Sequence, residues 1–326
     1  MFATVLFGFL AVLGFTLNTV TVLTFTKNRK LLSAADIPVL SMAVADNVLA
    51  TIATPLAAFA SAHARWPFDY SGCSWYAYFN VTVGLGSILH HVAIAVERCS
   101  KTHFPMSAEV TRKKMSAIIS LIWALASIWG IFPLIGWSAY VPEANGISCS
   151  LRWKSINTAD TSFVICTFIF FLLLPSFVLI ASYAIIYYDL RQMEKRSRRN
   201  CGKKSQQTLE TVLAKKRLTL TTFIMVVSFL IVWSPYAALS FYKAFWKPVT
   251  LSHSVSTAPS IFAKTSLFIN PVTYFIPRDM KTFEVFINFE LRELKEWCKI
   301  KNNSTKLNLG QNQIRSPDPQ KMYLKV

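Results

Sequence analysis

The sequence contains little charge for its length. Only 15% of its 326 residues are Asp, Glu, Lys or Arg, whereas 53% are hydrophobic, and the mean hydropathy is +0.40. In soluble domains about a quarter of the residues are charged. The shortage of charge therefore excludes an ordinary soluble domain and indicates a membrane protein.

Several other features are missing from the chain. It has no internal repeat and no ring of charge suited to a pore, which argues against a transporter or a channel. Its cysteine spacings do not suggest a metal site. The first apolar segment lacks a basic n-region and a small-residue cleavage site, so we do not expect it to be a signal peptide.

Seven apolar segments are long enough to cross a bilayer, which takes about 20 residues. The sequence therefore predicts an all-α membrane protein built as a bundle of seven transmembrane helices. We expect one domain over residues 1–290, which includes a short amphipathic eighth helix, and a basic, disordered tail over 291–326. The predicted spans are Phe2–Thr26, Ala35–Ala60, Trp75–Val96, Ser116–Trp137, Ser162–Tyr188, Leu218–Phe245 and Ser254–Ile276.

Basic residues are concentrated in the loops after the first, third and fifth spans. Because such loops stay on the cytosolic side, the pattern predicts a multi-pass protein of the cell membrane with its N-terminus outside and its C-terminus in the cytosol. The formal net charge of +18 is then explained by this face and by attraction to the anionic lipid of the bilayer, with no nucleic-acid partner. Cys73 and Cys149 both fall on the oxidising outer side, where we expect a disulfide between them.

Lys264 lies within the last span, where a charged side chain costs roughly 2.5–3.5 kcal/mol on insertion scales. Three explanations are open from the residues alone. The side chain reaches the interface by snorkelling, or it pairs with a buried carboxylate, or its neutral amine adds to an aldehyde and forms a Schiff base.

Further polar or helix-breaking residues occur at membrane depth, among them Asn18, Asp46, Asn270 and Pro271. Such groups serve either as contacts between helices or as a hydrated polar track with hinge points. Alone, each residue supports the two interpretations equally.

Together these residues resemble a known family. Asn18, "LSMAVAD" ending at Asp46, "ERC" at Glu97–Cys99, "WSPY" from Trp233 and "NPVTY" from Asn270 are similar to the rhodopsin-like G-protein-coupled receptors, in order and across all seven spans. "FAKTSLFINPVTY" and "GWSAYVPEANGISCSLRW" resemble the opsins within that family. The details are most like the neuropsin, peropsin and retinal photoisomerase branch, and neuropsins above all.

The resemblance implies a cofactor and its site. The cofactor is retinal, as the 11-cis or all-trans isomer or both, bound to Lys264 as a protonated Schiff base. Visual opsins of vertebrates carry a glutamate counterion where this chain has Tyr76, so the resemblance implies Glu143 of the outer loop as the counterion and Tyr76 as its hydrogen-bonding partner. It places five further residues around the ligand, Gly84, Phe168, Phe171, Trp233 and Tyr236.

The resemblance also implies light sensing through a heterotrimeric G protein, with arrestin as a further partner, although the tail offers few residues to phosphorylate. Light would make the sixth helix swing about Pro235, and Arg98 would then leave Glu97. Departures at Cys99 and Lys215 keep one alternative open, a retinal photoisomerase without G-protein signalling. A second alternative is a receptor for retinal or another aldehyde that works without light. The residues implied in activation are Asp46, Glu97, Arg98, Tyr183, Asn270, Pro271 and Tyr274.

Overall fold

The computed structural model describes residues 2–28, 30, 32–104, 110–143, 146–199, 203–246, 253–279, 292–293 and 296–300. Within these ranges, six helices are long and apolar enough to cross a membrane. The chain divides into two compact units, Met1–Ile186 with Thr219–Arg278, and Tyr187–Leu218 with Asp279–Val326. The candidate site described below lies in the first unit.

We number the helices by predicted span, α1 to α7, and the two strands β1 and β2. In chain order they are α1 Phe2–Lys27, α2 Asp36–Ala62 with a π-helical turn at Leu49–Ala53, α3 Tyr70–His103, α4 Arg112–Ile131 followed by a 3₁₀ turn at Phe132–Ile135, β1 Tyr140–Pro142, β2 Cys149–Leu151, α5 Thr158–Phe168 and Leu174–Arg199 joined by a π-helical turn at Ile169–Leu173, α6 Lys203–Phe245, and α7 His253–Lys264 and Ser266–Asp279.

Three helices are clearly longer than the sequence predicts: α3, α6, and α5, which runs from Thr158 to Arg199 rather than from Ser162 to Tyr188. Helix α3 begins at Tyr70 rather than Trp75, because the Asp69 carboxylate caps it by accepting a 2.7 Å hydrogen bond from the backbone N–H of Gly72. Helix α6 begins at Lys203 rather than Leu218. Hydropathy marks only the part of a helix that lipid covers, so the polar turns that extend α6 were not predicted.

The π-helical turns of α2 and α5 each end two residues before a proline, Pro55 and Pro175. Proline donates no backbone hydrogen bond and clashes with the carbonyl four residues earlier, which favours a local widening of the helix. In α2 the Leu49 carbonyl accepts from the Thr54 backbone N–H, and the Thr54 hydroxyl adds a second hydrogen bond to it at 3.0 Å. By contrast, helix continues through Pro235 and Pro271.

The outer loop between α4 and α5 forms an antiparallel hairpin of β1 and β2, which the sequence did not predict. The expected disulfide is present, and Cys73–Cys149 joins β2 to the outer end of α3. Tyr140 anchors the other strand, because its hydroxyl donates to the Gly130 carbonyl at 2.7 Å. Burial raises the pKa of Tyr140 above its usual range, which keeps this donor protonated.

The seventh predicted span is present as the two halves of α7, of 12 and 14 residues. The halves meet at Thr265, whose backbone N–H and hydroxyl both donate to the Phe262 carbonyl, at 3.0 and 2.7 Å. Lys264 lies within this tight turn, directly before Thr265. The break explains why length and composition identify six continuous spans in the described residues although seven segments are there.

The second unit contains the end of α5 from Tyr187 and the start of α6 up to Leu218. Its helices are linked by an ion pair of 2.7 Å between Lys216 and Glu194, and Leu209 and Leu213 form a small apolar cluster with Cys298. The predicted eighth helix and most of the predicted tail lie outside the described residues.

Candidate functional site

A cavity of about 390 Å³ lies among α3, α5, α6, α7 and the β-hairpin. Apolar and aromatic side chains form most of its wall. The structure brings together on this wall all eight residues that the sequence placed around a ligand, namely Tyr76, Gly84, Glu143, Phe168, Phe171, Trp233, Tyr236 and Lys264. That these residues bind a ligand stays a prediction.

Lys264 is the last residue of the first half of α7, and its side chain reaches across to α3. The ammonium donates a 2.8 Å hydrogen bond to the Asn80 carboxamide oxygen. It also lies 5.3 Å from the centre of the Tyr76 ring, within range of a cation–π interaction. The lysine is thus held inside the bundle by contacts from α3 and does not snorkel to the interface.

Asn80 was missed by the sequence analysis. It lies four residues after Tyr76 on α3, so the two side chains share a helix face. Its carboxamide N–H donates to the Tyr76 carbonyl at 2.7 Å, which turns its oxygen toward Lys264. The available signal was a polar amide at membrane depth, one turn inward of a predicted site residue.

Glu143 is placed on the wall by the hairpin. Its backbone N–H donates to the Ser148 carbonyl at 2.8 Å, which closes the end of the hairpin next to β1. Each carboxylate oxygen accepts from a hydroxyl, one from Ser148 at 2.6 Å and the other from Tyr236 at 2.9 Å. The hairpin and α6 therefore hold a carboxyl group on the same wall as Lys264.

The indole of Trp233 on α6 packs directly against α3. A Cβ added at Gly84 would lie 3.0 Å from the outer edge of that ring, so the close approach depends on the missing side chain. Trp233 also contacts the Phe229 ring, with centroids 5.7 Å apart, and Tyr236 at 6.2 Å. The packing of Trp233 against Gly84 couples the wall of the cavity to the position of α6.

The outer part of the aromatic wall includes Trp153, which the sequence analysis did not identify. Its indole N–H donates to the Tyr236 hydroxyl at 3.3 Å, and its ring lies 6.0 Å from that of Phe168. Phe171 packs against Trp129, with ring centroids 5.1 Å apart. These rings form a broad apolar surface suited to a long conjugated ligand.

Polar residues continue from the cavity toward the inner end of the bundle. The Asn270 carboxamide donates to the Asp46 carboxylate at 3.0 Å, and the Tyr274 hydroxyl donates to the Asp36 carboxylate at 2.7 Å. Both contacts join α7 to α2. Asn18 adds a link to α1 by donating to the Leu267 carbonyl at 2.7 Å. These residues bind one another across three helices, as both interpretations of the polar track require.

At the inner end of α3, Glu97 is buried and interacts with two cations. Arg98 lies 3.6 Å from its carboxylate and Lys101 lies 2.6 Å from it. Tyr183 of α5 packs edge-on against Phe223 of α6, with centroids 5.3 Å apart. Arg98 and Lys101 therefore compete for the Glu97 carboxylate.

Comparison with known proteins shows several similarities. The family described as "7 transmembrane receptor (rhodopsin family)" matches residues 17–274. The chain is 29% identical over 272 residues to "Melanopsin" of Rutilus rutilus, which covers 82% of this chain and 54% of that protein. It is 30% identical over 253 residues to "Opsin-5" of Homo sapiens, covering 76% of this chain and 70% of that protein.

The fold has a counterpart among solved structures. The crystal structure of squid rhodopsin superposes with a TM-score of 0.77 at 24% sequence identity, covering 87% of this chain and 78% of the other. This likeness shows the seven-helix fold. The chain spans about half the length of the Rutilus rutilus melanopsin.

Proposed function

The chain belongs to the rhodopsin family of seven-transmembrane receptors and, within it, to the opsins, and from this premise we propose that it is a non-visual, light-sensing receptor that carries retinal on Lys264. The observation that carries the proposal is the position of that lysine. Its amine lies on the wall of an apolar cavity together with the Glu143 carboxylate.

The residues present fit retinal. The cavity volume of about 390 Å³ falls within the roughly 300–1,000 Å³ typical of small-molecule sites. Aromatic rings from α3, α5 and α6 would flank a polyene, Lys264 would hold its aldehyde end as a Schiff base, and Glu143 would balance the resulting positive charge. Retinal would supply the absorption of light and the change of shape that follows.

The chain's own residues would then carry the signal. Trp233 touches α3 at Gly84, so a displaced indole favours a different position of α6. The Asn270–Asp46 and Tyr274–Asp36 contacts join the inner half of α7 to α2 and would rearrange with it. Release of Arg98 from Glu97 would open the inner end of the bundle to a heterotrimeric G protein. In this orientation the N-terminus lies outside the cell.

Absorption spectra test the retinal proposal. Purified protein is incubated separately with 11-cis and all-trans retinal, alongside Lys264→Ala and the control Lys243→Ala, a lysine of α6 that does not line the cavity. We expect a pigment band in the wild type and the control, and none in Lys264→Ala. Folded wild-type protein that gives no band with either isomer would contradict the proposal.

A second candidate function is a retinal photoisomerase that does not signal. The observation in its favour is the ion pair of 2.6 Å between Lys101 and Glu97. Because Lys101 shares the carboxylate, the Arg98–Glu97 contact that the signalling mechanism would break is not exclusive. The isomer extracted after illumination distinguishes the two functions. Catalytic release of 11-cis retinal from added all-trans retinal, without nucleotide exchange on any G protein, would favour the enzyme.

A further inference from the structure

The direct partner of the Lys264 amine is a neutral amide. Lys264 donates to the Asn80 oxygen at 2.8 Å, and the Asn80 N–H is occupied by the Tyr76 carbonyl at 2.7 Å. Because this second bond lies within α3, it fixes the orientation of the carboxamide whatever happens at α7. An acceptor is thus presented to the amine at a set position.

The acid on the same wall is arranged differently. Both oxygens of Glu143 accept from hydroxyls, those of Tyr236 on α6 and Ser148 in the hairpin. The charged and titratable groups around the amine are therefore Glu143 from the outer loop, Tyr76 from α3 and Tyr236 from α6. The group to which the amine donates its hydrogen bond is the uncharged carboxamide of Asn80.

The geometry points to Asn80 as a positioning residue that holds the Lys264 nitrogen for attack on an aldehyde without stabilising its protonated form as a carboxylate would. The inference rests on the proposed function, since it concerns how that lysine reacts. An ammonium has no free electron pair, so the amine must first lose a proton. The neutral nitrogen then bonds to the carbonyl carbon and gives up its two remaining protons, the carbonyl oxygen gains two protons, and it leaves as water as the imine forms.

A carboxylate in place of Asn80 would change this balance. An opposite charge within 4–6 Å favours the charged form of a group by about one to three pH units. Asn80→Asp keeps the shape of the side chain and adds that charge. Asn80→Leu keeps the approximate size and removes the acceptor. The two variants therefore separate the effect of charge from the effect of position.

The test labels Lys264 in the protein without retinal. Formaldehyde forms an imine with the amine, cyanoborohydride delivers hydride to the imine carbon, and mass spectrometry of the peptide containing Lys264 gives the methylation rate as a function of pH. Lys264→Arg identifies the signal. Asn47→Asp, which alters an amide between α2 and α1, is the matched control for an added charge elsewhere in the bundle.

We expect Asn80→Asp to be methylated roughly ten- to a thousandfold more slowly at neutral pH, with its rate profile moved to higher pH. Asn80→Leu should show a maximal rate at high pH that is lower by roughly two- to tenfold, the effect of one lost hydrogen bond. Asn47→Asp should match the wild type. Identical profiles for the wild type and Asn80→Asp would overturn the inference.

Folding and function are controlled separately. If Asn80→Asp is not monodisperse in detergent, Asn80→Leu decides alone, because an unchanged maximal rate would show that Asn80 does not position the amine. The labelling uses no retinal. The expected order of rates without any retinal pigment would contradict only the proposed function, and a pigment with unaltered rates would contradict only the role of Asn80.

Discussion

At the scale of the residue, Glu143 is held by two hydrogen bonds on the wall of the cavity that also contains the Lys264 amine. Hydroxyls of Ser148 and Tyr236 donate to its two oxygens from different elements, at 2.6 and 2.9 Å. Glu143 is half-buried, and these two bonds hold its carboxyl group in place. A buried cation needs a negative group nearby, which a residue fixed in this position can supply.

Replacing Glu143 by Gln tests its role as counterion. Gln keeps the size and the ability to bind Ser148 and Tyr236 but removes the negative charge. In the retinal-loaded protein we expect the visible band to be lost at a pH about one to three units lower than in the wild type, because the positive charge on the nitrogen is less stabilised. The measurement is a spectroscopic pH titration in the dark.

The matched control for that titration is Asp160→Asn. Asp160 is a buried acid near the outer end that pairs with Arg152 at 3.6 Å and does not line the cavity. Its removal should leave the titration unchanged. Equal titrations of the wild type and Glu143→Gln would assign the counterion to another group.

At the scale of the element, glycines of α3 let large aromatic rings of the neighbouring helices pack closely against it. A Cβ at Gly84 would lie 3.0 Å from Trp233, and one at Gly86 would lie 2.6 Å from Trp123 of α4, whereas Gly8 of α1 has nothing within 4 Å. We expect Gly84→Ala and Gly86→Ala to destabilise the protein by about 1–3 kcal/mol through overpacking, Gly86→Ala the more strongly.

The control for this series is Gly8→Ala, which should be neutral or stabilising by up to about 1 kcal/mol, because alanine is the better helix former. Thermal unfolding in detergent, followed by tryptophan fluorescence, gives the order of the three variants. A Gly84→Ala protein as stable as Gly8→Ala would mean that the Trp233 indole moves away without cost.

Hydropathy predicted the existence and order of the helices but not their ends and irregularities. The break at Thr265 depends on its hydroxyl and backbone turning back to Phe262, and the hairpin depends on pairing across a loop, neither of which leaves a periodic pattern. The π-helical turns follow from prolines that the sequence does show.

At the scale of the whole molecule, motif positions spread over separate helices predicted a group of side chains that the structure places around one cavity. The partner of Lys264 was not among them. Asn80 becomes relevant only once α3 and α7 are placed side by side, because 184 residues separate it from the lysine. Sequence patterns predict which faces turn inward, whereas the identity of contacts across the bundle depends on the packing of whole helices.

The last prediction concerns signalling from the cavity to the inner end of the bundle. Arg98 pairs with Glu97 at the far end of α3 and lies outside the cavity wall. In the proposed mechanism the guanidinium that leaves Glu97 would meet the G protein, so Arg98→Ala should keep the pigment band and lower light-dependent nucleotide exchange by roughly ten- to a hundredfold, the effect of one lost hydrogen bond to a charged group. Lys101→Ala is the matched control, because it removes a cation from the same carboxylate and leaves Arg98 in place. We expect this control to keep the band and to lower exchange less than Arg98→Ala does, since the guanidinium remains although Glu97 then pairs with Arg98 alone. Exchange that is unaffected in Arg98→Ala would place the G-protein contact elsewhere, and a wild type that forms pigment but drives no exchange on any class of G protein would favour the photoisomerase over the receptor.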